Sequence, residues 1–252
     1  MTKNQNTAPL FFSAFDRITI VNLVSRTDRR AEMEHQLRRV GLDSDPRVTF
    51  FPALSMADAG PFKRLGSHGA FLSHLTLLSE AAAAKQSILI LQDDCDLLLP
   101  EMLKYEVPDR WDIFYGGYVA SDPGNLPESN IIGAHFMGFS QRAAAIAADY
   151  LTRYLQADFP LDARAAAQPG FDPALRPPID GAFVWLRRAH PELVTVFAML
   201  GVQRASRTDI GDRPFFDRLP GLRSLAGSAR RLRERFPRTA AGKGKADFNR
   251  QH

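Results

Sequence analysis

Short apolar runs alternate with amphipathic stretches along the first half of the chain. Residues 17–23, 48–54 and 87–91 are rich in β-branched and large apolar side chains, which is typical of strands buried on both faces. Residues 25–42 and 68–86 separate these runs and carry apolar residues three and four positions apart, which predicts helices. Because parallel strands need crossover connections, this alternation predicts an α/β fold with a parallel sheet.

The second half continues the pattern less regularly. Strands are predicted at residues 111–117, 131–140 and 193–200, and helices at residues 141–156 and 178–192. The segment 157–178 is rich in Pro and Ala and has no period, so we expect a surface loop.

The first helix has recognisable end signals. Thr27 or Asp28 is expected to cap its N-terminus, and Gly41 is expected to end it.

Three carboxylates follow the third predicted strand directly, at Asp93, Asp94 and Asp96. In open α/β sheets, ligands bind at the carboxyl ends of the strands. Clustered carboxylates repel one another, and a divalent cation with oxygen ligands, Mg²⁺ or Mn²⁺, relieves that repulsion. Asp94 and Asp96 stand two positions apart, so an extended backbone would direct both to one side as metal ligands, with Asp93 on the other. The alternative is a solvated acidic turn.

Three arginines follow the first predicted strand at the same edge, Arg26, Arg29 and Arg30. Guanidinium groups suit phosphate oxygens, and the N-terminus of a helix favours anions. These residues are therefore candidate phosphate ligands. Alternatively, they are charges on an exposed helix face.

Length and charge distribution divide the chain into three parts. With 252 residues, it can form one domain with a tail. We predict an N-terminal extension at residues 1–16, a catalytic domain at 17–212 and a basic tail at 213–252. The net charge is +4, but residues 218–252 hold ten Lys or Arg against two Asp or Glu, or +8, which leaves about −4 for residues 1–217.

The location of the protein is inferred from two further features. No apolar run approaches the ~18 residues of a membrane-spanning helix. The single cysteine, Cys95, cannot form a disulfide within the chain. We therefore expect an intracellular, cytoplasmic protein.

The tail carries an amphipathic pattern at residues 220–238, where Leu222, Leu225, Ala229 and Leu232 are spaced three and four apart among arginines. A helix of this kind suits an anionic membrane surface, so we expect peripheral contact with the inner face of the membrane. The alternatives are a helix packed on the domain or a partly disordered arm. Nucleic acid is not the expected partner, because the rest of the chain is acidic and no reader motif accompanies the tail.

Seven motifs in order resemble glycosyltransferase family 25, which contains bacterial lipooligosaccharide galactosyltransferases and collagen galactosyltransferases. They are ITIVNLVSRTDRR, GAFLSHL, ILILQDD, WDIFYGG, GAHFMGFSQRAA, PIDGAF and GVQRASRTDI, which together span roughly residues 17–210. Each motif alone is weak, and the order of the set carries the resemblance.

The resemblance implies a GT-A-like (Rossmann-like) fold, a mostly parallel sheet with helices on both faces. It also implies a UDP-sugar donor, most often UDP-galactose, with Mn²⁺ or Mg²⁺, and an inverting transfer of a hexose to a saccharide or glycolipid acceptor, such as lipopolysaccharide. Inversion needs a carboxylate base, for which Asp180 is our first candidate and Asp209 the second; the alternative for either is a cap of the helix beside it. Asn22 would meet the uracil or ribose. His74 would contact the nucleotide or metal, or else be a hydrogen-bonded core residue.

Departures from the family pattern keep other functions open. Gln92 stands where the family usually has Glu, Ala70 replaces a Cys, and Thr208 replaces a Ser. Gln92 is compatible with a scaffold that kept the fold and lost turnover. A nucleotidyltransferase is a further alternative, although the segment after the first strand lacks the glycine-rich loop expected of one.

Overall fold

The computed structural model describes residues 8–204. Asp209 and the predicted tail at 213–252 lie outside this part of the chain. Its strands are β1 (Arg17–Asn22), β2 (Val48–Pro52), β3 (Ile88–Gln92), β4 (Cys95–Leu97), β5 (Ile113–Tyr115), β6 (Val119–Ala120), β7 (Ile131–Ile132), β8 (Phe136–Phe139), β9 (Thr195–Phe197) and β10 (Gly201–Gln203). Its helices are α1 (Thr27–Arg39), α2 (Leu65–Ala84), α3 (Leu99–Met102), α4 (Gln141–Tyr154), α5 (Ala163–Ala166) and α6 (Ile179–Ala189), preceded by a 3₁₀ helix at Leu10–Ala14.

A six-stranded sheet forms the centre, in the order β2-β1-β3-β8-β5-β9. β1 pairs in parallel with β2 and β3, and β5 pairs in parallel with β9. β8 is antiparallel to both of its neighbours, β3 and β5. The sheet is therefore mostly parallel, which confirms the α/β prediction.

Each face of the sheet has its own apolar core. Alternate residues of β3 separate to the two sides, because successive side chains of a strand point in opposite directions. Ile88 and Ile90 pack with α2, α4 and α6. Leu89 and Leu91 pack with α1, α3 and the 3₁₀ helix. Helices therefore cover both faces, as predicted.

The described part of the predicted N-terminal extension is packed into the domain. Phe11, Phe12 and Phe15 are all at most 2% exposed. The rings of Phe11 and Phe114 lie 5.1 Å apart, and those of Phe15 and Trp111 lie 5.3 Å apart. These residues therefore belong to the core on the α1 side of the sheet.

Of the two end signals predicted for α1, the one at the N-terminus is wrong and the one at the C-terminus is confirmed. Arg26 occupies the N-cap position without a side-chain cap, so the predicted cap at Thr27 or Asp28 is wrong. The prediction for Gly41 is confirmed: its φ is 70°, a conformation that favours glycine, and Leu42 N donates to Leu37 O across the helix end at 2.9 Å.

Two irregular regions also differ from prediction. The expected strand at 131–140 is two strands, β7 and β8, because the chain turns between them at residues 133–135. The expected loop at 157–178 contains the short α5, and its Arg176 is buried beneath the rings of Tyr154 and Phe159. Within residues 8–204, no helix combines the length and apolar character that a membrane span requires.

Candidate active site

The carboxyl ends of β1 and β3 lie side by side, and they bring Asn22 and Asp93 together. Asn22 Nδ2 donates to Asp93 Oδ2 at 2.7 Å and to the backbone oxygen of Arg26 at 3.2 Å. Arg29 Nη1 donates to Asp93 Oδ1 at 3.0 Å. Asp93 therefore has a partner on each carboxylate oxygen and is only 5% exposed. The structure brings three predicted site residues into one cluster here.

Asp94 is the least satisfied carboxylate of this edge. Its Oδ2 lies 3.6 Å from Arg29 Nη1 and 3.4 Å from Gln203 Nε2. Its Oδ1 is buried and has no hydrogen-bond partner. Burial raises the pKa of Asp94, an effect that Arg29 opposes and the neighbouring Asp93 reinforces.

Asp96 lies in β4 and is held by different groups. Its Oδ1 accepts from Gln36 Nε2 at 3.1 Å and from Arg204 Nε at 2.8 Å. Arg204 also pairs with Glu32 of α1, and its backbone N–H donates to the backbone oxygen of Asp94 at 2.7 Å. Asp94 and Asp96 thus both contact α1 and the end of β10.

A divalent cation fits Asp94 better than Asp96. Residues 8–204 contain no group of three or more His, Cys, Asp or Glu side chains arranged to hold a metal ion. Mg²⁺ and Mn²⁺, however, often bind through one or two carboxylates and complete their shell with phosphate oxygens and water. Asp94 Oδ1 is an oxygen of the right kind without a partner. Asp96 would first have to exchange its contact with Arg204.

The other two predicted phosphate ligands face other groups. Arg26 forms a forked pair with Asp28 at 2.9 and 2.7 Å, which lowers the pKa of that carboxyl. Arg30 lies 4.1 Å from the centre of the Phe50 ring and bonds Glu34 at 3.0 Å. Arg29, in contrast, contacts Asp93 and Asp94.

A cleft of about 240 Å³ opens beside the Asn22–Asp93 pair, at the carboxyl ends of β1 and β2. It is lined by Asn22, Val24, Arg30, Phe50, Phe51 and Pro52. Apolar walls with a few polar groups are typical of small-molecule sites. A planar, partly polar group such as a nucleobase suits this lining.

His74 and Asp180 meet at the turn between β7 and β8. His74 is fully buried in α2, with Nδ1 2.8 Å from Ala70 O and Nε2 3.3 Å from Ala134 O, and burial lowers its pKa. This is the hydrogen-bonded core position that we gave as its alternative. Asp180 Oδ1 accepts from the N–H groups of Gly133 and Ala134 at 2.7 and 2.8 Å. Burial raises the pKa of Asp180.

Sequence reasoning missed several residues of this edge. The partners of Asp94 and Asp96 at the end of β10, Gln203 and the following Arg204, were quoted within a motif but given no role. His135 lies in the turn directly before β8 and is 6% exposed. Its Nε2 is buried without a hydrogen-bond partner, and burial lowers its pKa to about 4. A lone polar residue at the start of an apolar strand was the available signal for His135.

The fold and this edge define an α/β protein with a mostly parallel sheet and an acidic cluster at its carboxyl end. No protein-family model and no curated protein matches the chain. A solved structure described as a glycosyltransferase involved in the glycosylation of the major capsid of PBCV-1 is similar over 75% of this chain and 94% of that chain. The TM-score is 0.43 and the sequence identity is 10%, so this similarity does not by itself assign an activity.

Proposed function

We propose that the chain is a glycosyltransferase that moves a hexose from a nucleotide sugar to a saccharide acceptor. The supporting observation is the buried, unpartnered Oδ1 of Asp94 at the carboxyl edge of the sheet, the edge that also carries the cleft lined by Asn22. The finer proposal follows the resemblance to family 25: the donor is a UDP-sugar, most often UDP-galactose, and the product belongs to lipopolysaccharide or another surface glycan.

The donor would lie across the ends of β2, β1 and β3. The nucleobase of the donor would enter the 240 Å³ cleft and contact Phe50 and Arg30. Asn22 and Asp93 would meet the ribose, because their amide and carboxylate groups can bond its hydroxyls. Arg29 pairs with both Asp93 and Asp94, and its guanidinium would contact the diphosphate.

Asp94 Oδ1 would be the protein ligand of a divalent cation, with Asp96 as a second ligand once Arg204 has moved. When bound, Mn²⁺ or Mg²⁺ offsets the charge of the departing diphosphate. Within the protein, Asp94 orients the donor and its buried position limits access of water.

The catalytic base of an inverting transfer is proposed to be Asp180 or Asp209. A base must take the proton of the acceptor hydroxyl, so a carboxyl with a raised pKa is a stronger acceptor than a usual one. Burial raises the pKa of Asp180. Its Oδ1 already accepts two backbone N–H groups, so Oδ2 would receive the proton.

Binding and hydrolysis of nucleotide sugars test this proposal. We expect UDP-sugars with Mn²⁺ to raise the melting temperature, because a ligand that binds the folded form stabilises it. GDP- and CMP-sugars should have smaller effects. The Asp94→Asn variant should lose the Mn²⁺-dependent part of this rise and about 100-fold or more of UDP-sugar hydrolysis, in line with losses of single electrostatic groups.

The matched control is Asp149→Asn, which removes an exposed carboxylate that pairs with Arg153 on α4. This variant should behave like the wild type. Equal hydrolysis by Asp94→Asn and wild type, or no response to any nucleotide sugar, would contradict the proposed function.

A scaffold without turnover is the second candidate, and one contact favours it. Arg29 already places a positive charge beside both Asp93 and Asp94. Gln92 also stands where the family usually has an acid. In that case a UDP-sugar would raise the melting temperature equally with and without Mn²⁺, and no hydrolysis would follow.

A further inference from the structure

Arg204 pairs with Asp96, the second of the two aspartates proposed to bind a cation. Its Nε donates to Asp96 Oδ1 at 2.8 Å, and its guanidinium also pairs with Glu32 of α1. Its backbone N–H donates to the backbone oxygen of Asp94 at 2.7 Å. The side chain of Arg204 is 13% exposed. One arginine, largely shielded from water, therefore holds a candidate metal ligand and a second carboxylate at the same time.

The two carboxylates that Arg204 holds belong to different elements. Asp96 lies in β4, and Glu32 lies in α1. Arg29, Glu32 and Gln36 are three and four residues apart, so they share one face of the helix. Arg29 pairs with Asp94 and Gln36 donates to Asp96, so this face of α1 is turned towards the acidic edge. The guanidinium of Arg204 therefore bridges α1 and β4.

Negative charge exceeds positive charge where α1 meets the acidic edge. The ion pairs of Arg29 and Arg204 join two guanidinium groups to four carboxylates, which formally leaves a charge of −2. The four carboxylates are those of Glu32, Asp93, Asp94 and Asp96. One divalent cation carries the opposite charge, and Asp94 Oδ1 is buried without a hydrogen-bond partner. The edge is therefore suited to a cation, but Arg204 already neutralises Asp96.

We propose that Arg204 is an exchangeable counterion of the cation site. It pairs with both Asp96 and Glu32 while no cation is bound, and it keeps Glu32 alone when a divalent cation takes Asp96. This proposal rests on the proposed function, because the cation is the one that the donor diphosphate would share. A buried guanidinium left without a carboxylate is costly, and Glu32 removes that cost after the exchange.

The exchange predicts opposite effects for the two residues that bond each other. Removal of the Arg204 guanidinium takes away the group that competes with the cation, so the cation should bind more tightly. Removal of the Glu32 carboxylate leaves Arg204 dependent on Asp96, so the cation should bind more weakly. If the pair only braced the edge, loss of either partner would loosen the site and weaken cation binding in both cases.

Calorimetric titration of the full chain with Mn²⁺ alone, without a nucleotide, tests this prediction. Arg204→Gln should bind Mn²⁺ about tenfold more tightly than the wild type, which corresponds to about 1.4 kcal/mol and matches one competing charged hydrogen bond. Glu32→Gln should bind about fivefold more weakly. Arg204→Lys keeps the charge but not the forked geometry, so its affinity should lie between wild type and Arg204→Gln. It carries the test if Arg204→Gln does not fold.

A double variant separates the exchange from a simple effect of charge. In the Arg204→Gln background, Glu32 has no guanidinium to hold, so adding Glu32→Gln should change the Mn²⁺ affinity by less than about twofold. If Glu32 acted only through its negative charge, the fivefold loss would appear in both backgrounds.

Matched controls remove the same charges elsewhere. Arg17 pairs with Glu80 at the start of β1, about 17 Å from the carboxyl end of that strand. Glu34 pairs with Arg30 on α1 and is half-exposed. Arg17→Gln and Glu34→Gln should each change the Mn²⁺ affinity by less than about twofold. Circular dichroism melting without Mn²⁺ verifies that every variant is folded.

The exchange and the glycosyltransferase function can fail separately. The exchange is overturned if Arg204→Gln binds Mn²⁺ no more tightly than the wild type, if neither protein binds it, or if Glu32→Gln causes the same loss in both backgrounds. A rise in melting temperature with UDP-sugar would leave the glycosyltransferase function standing in each of these cases. Opposite effects of the two variants, with no response to any nucleotide sugar, would instead refute that function and keep the exchange.

Discussion

Asp94 and His135 lie at the carboxyl edge of the sheet, and each keeps a buried polar atom without a hydrogen-bond partner, Oδ1 of Asp94 and Nε2 of His135. Such atoms are uncommon in folded proteins, because an unsatisfied buried group costs about 1–3 kcal/mol. His135 adjoins β3, since Gln92 N donates to its backbone oxygen at 3.0 Å. The cost at both positions is consistent with a site whose ligand supplies the missing bonds.

His135 should make stability depend on pH. Burial lowers its pKa to about 4, whereas an unfolded histidine titrates near 6.5. Between these values the unfolded state binds the extra proton, so acidification from about pH 7 to about pH 5 should cost about 2 kcal/mol of unfolding free energy. His135→Asn should lose this part of the pH dependence, measured by urea unfolding at both pH values.

The control for that experiment is His35→Asn, which changes an exposed residue of α1. It should keep the pH dependence of the wild type. His74 has a pKa lowered by burial and contributes with the same sign in every variant. Identical slopes for His135→Asn and wild type would contradict the assignment.

Arg187 should be a stability determinant. It is 7% exposed, and its guanidinium donates to the backbone oxygens of Pro127 and Ser129 at 3.2 and 2.8 Å. Arg187→Met should lower the unfolding free energy by about 3 kcal/mol, because those carbonyls lose charged donors. Arg153→Met, on the exposed face of α4, should cost at most about 0.5 kcal/mol. Denaturant titration checks both; similar losses for the two variants would refute this role.

The sequence predicted elements whose signal is local. β1, β3, α1 and α2 have long apolar runs or a clear helical period, and the structure contains all four. β4 and β10 are three residues each, and their pairing joins positions 108 residues apart, as between Asp96 and Arg204. No local pattern encodes such a pairing. The acidic segment was therefore predicted as metal ligands after the third strand, with a solvated turn as the alternative, and the partners of Asp94 and Asp96 were missed.

The residues of the candidate site could be predicted from the sequence where strand order brings them together, but not where side-chain packing decides. Asn22, Arg29, Asp93 and Asp94 meet because parallel strands end at one edge, which the element order implies. The side chains of Arg26 and Arg30 do not join this cluster, because each pairs with a carboxylate of α1. Arg26 pairs with Asp28, and Arg30 pairs with Glu34. Which of several arginines turns to the strand ends depends on side-chain packing, not on spacing.

Glycine at position 117 should be required where β5 meets β10. A Cβ there would clash with the backbone oxygen of Gly201 and lie 2.6 Å from His135 Nε2. Gly117→Ala should cost about 1–3 kcal/mol, since the packed strands must separate. Gly124→Ala meets only Asp122 Oδ1, at 3.3 Å, and should be near neutral. Equal melting temperatures of the two variants would contradict this close approach.

On the scale of the whole molecule, charge is divided unevenly along the chain. Membrane contact by the tail remains a prediction, because residues 213–252 lie outside the described part. The cytoplasmic location also remains a prediction. Replacing Arg230, Arg231, Arg233 and Arg235 by Gln in the full chain should lower its binding to anionic vesicles about 1,000-fold, at about 1 kcal/mol for each of the four charges. Cosedimentation with vesicles measures this effect.

Neutral vesicles and raised salt provide the controls for that measurement. Binding of the wild type should be weak in both conditions, since attraction between exposed charges is screened by salt. Wild-type binding that is equal on neutral and anionic vesicles would rule out an electrostatic contact.

The pairing of β4 with β10 affects the order in which parts of the domain can fold during synthesis. The ribosome releases the aspartates of β3 and β4 long before Arg204, the counterion of Asp96. Until that arginine emerges, the nascent chain has Arg29 to pair with Asp93 and Asp94 but lacks the guanidinium that bonds Asp96. The acidic edge therefore gains its β10 partners last among the described elements, and a polypeptide that stalls before residue 201 would contain all six strands of the central sheet but not β10.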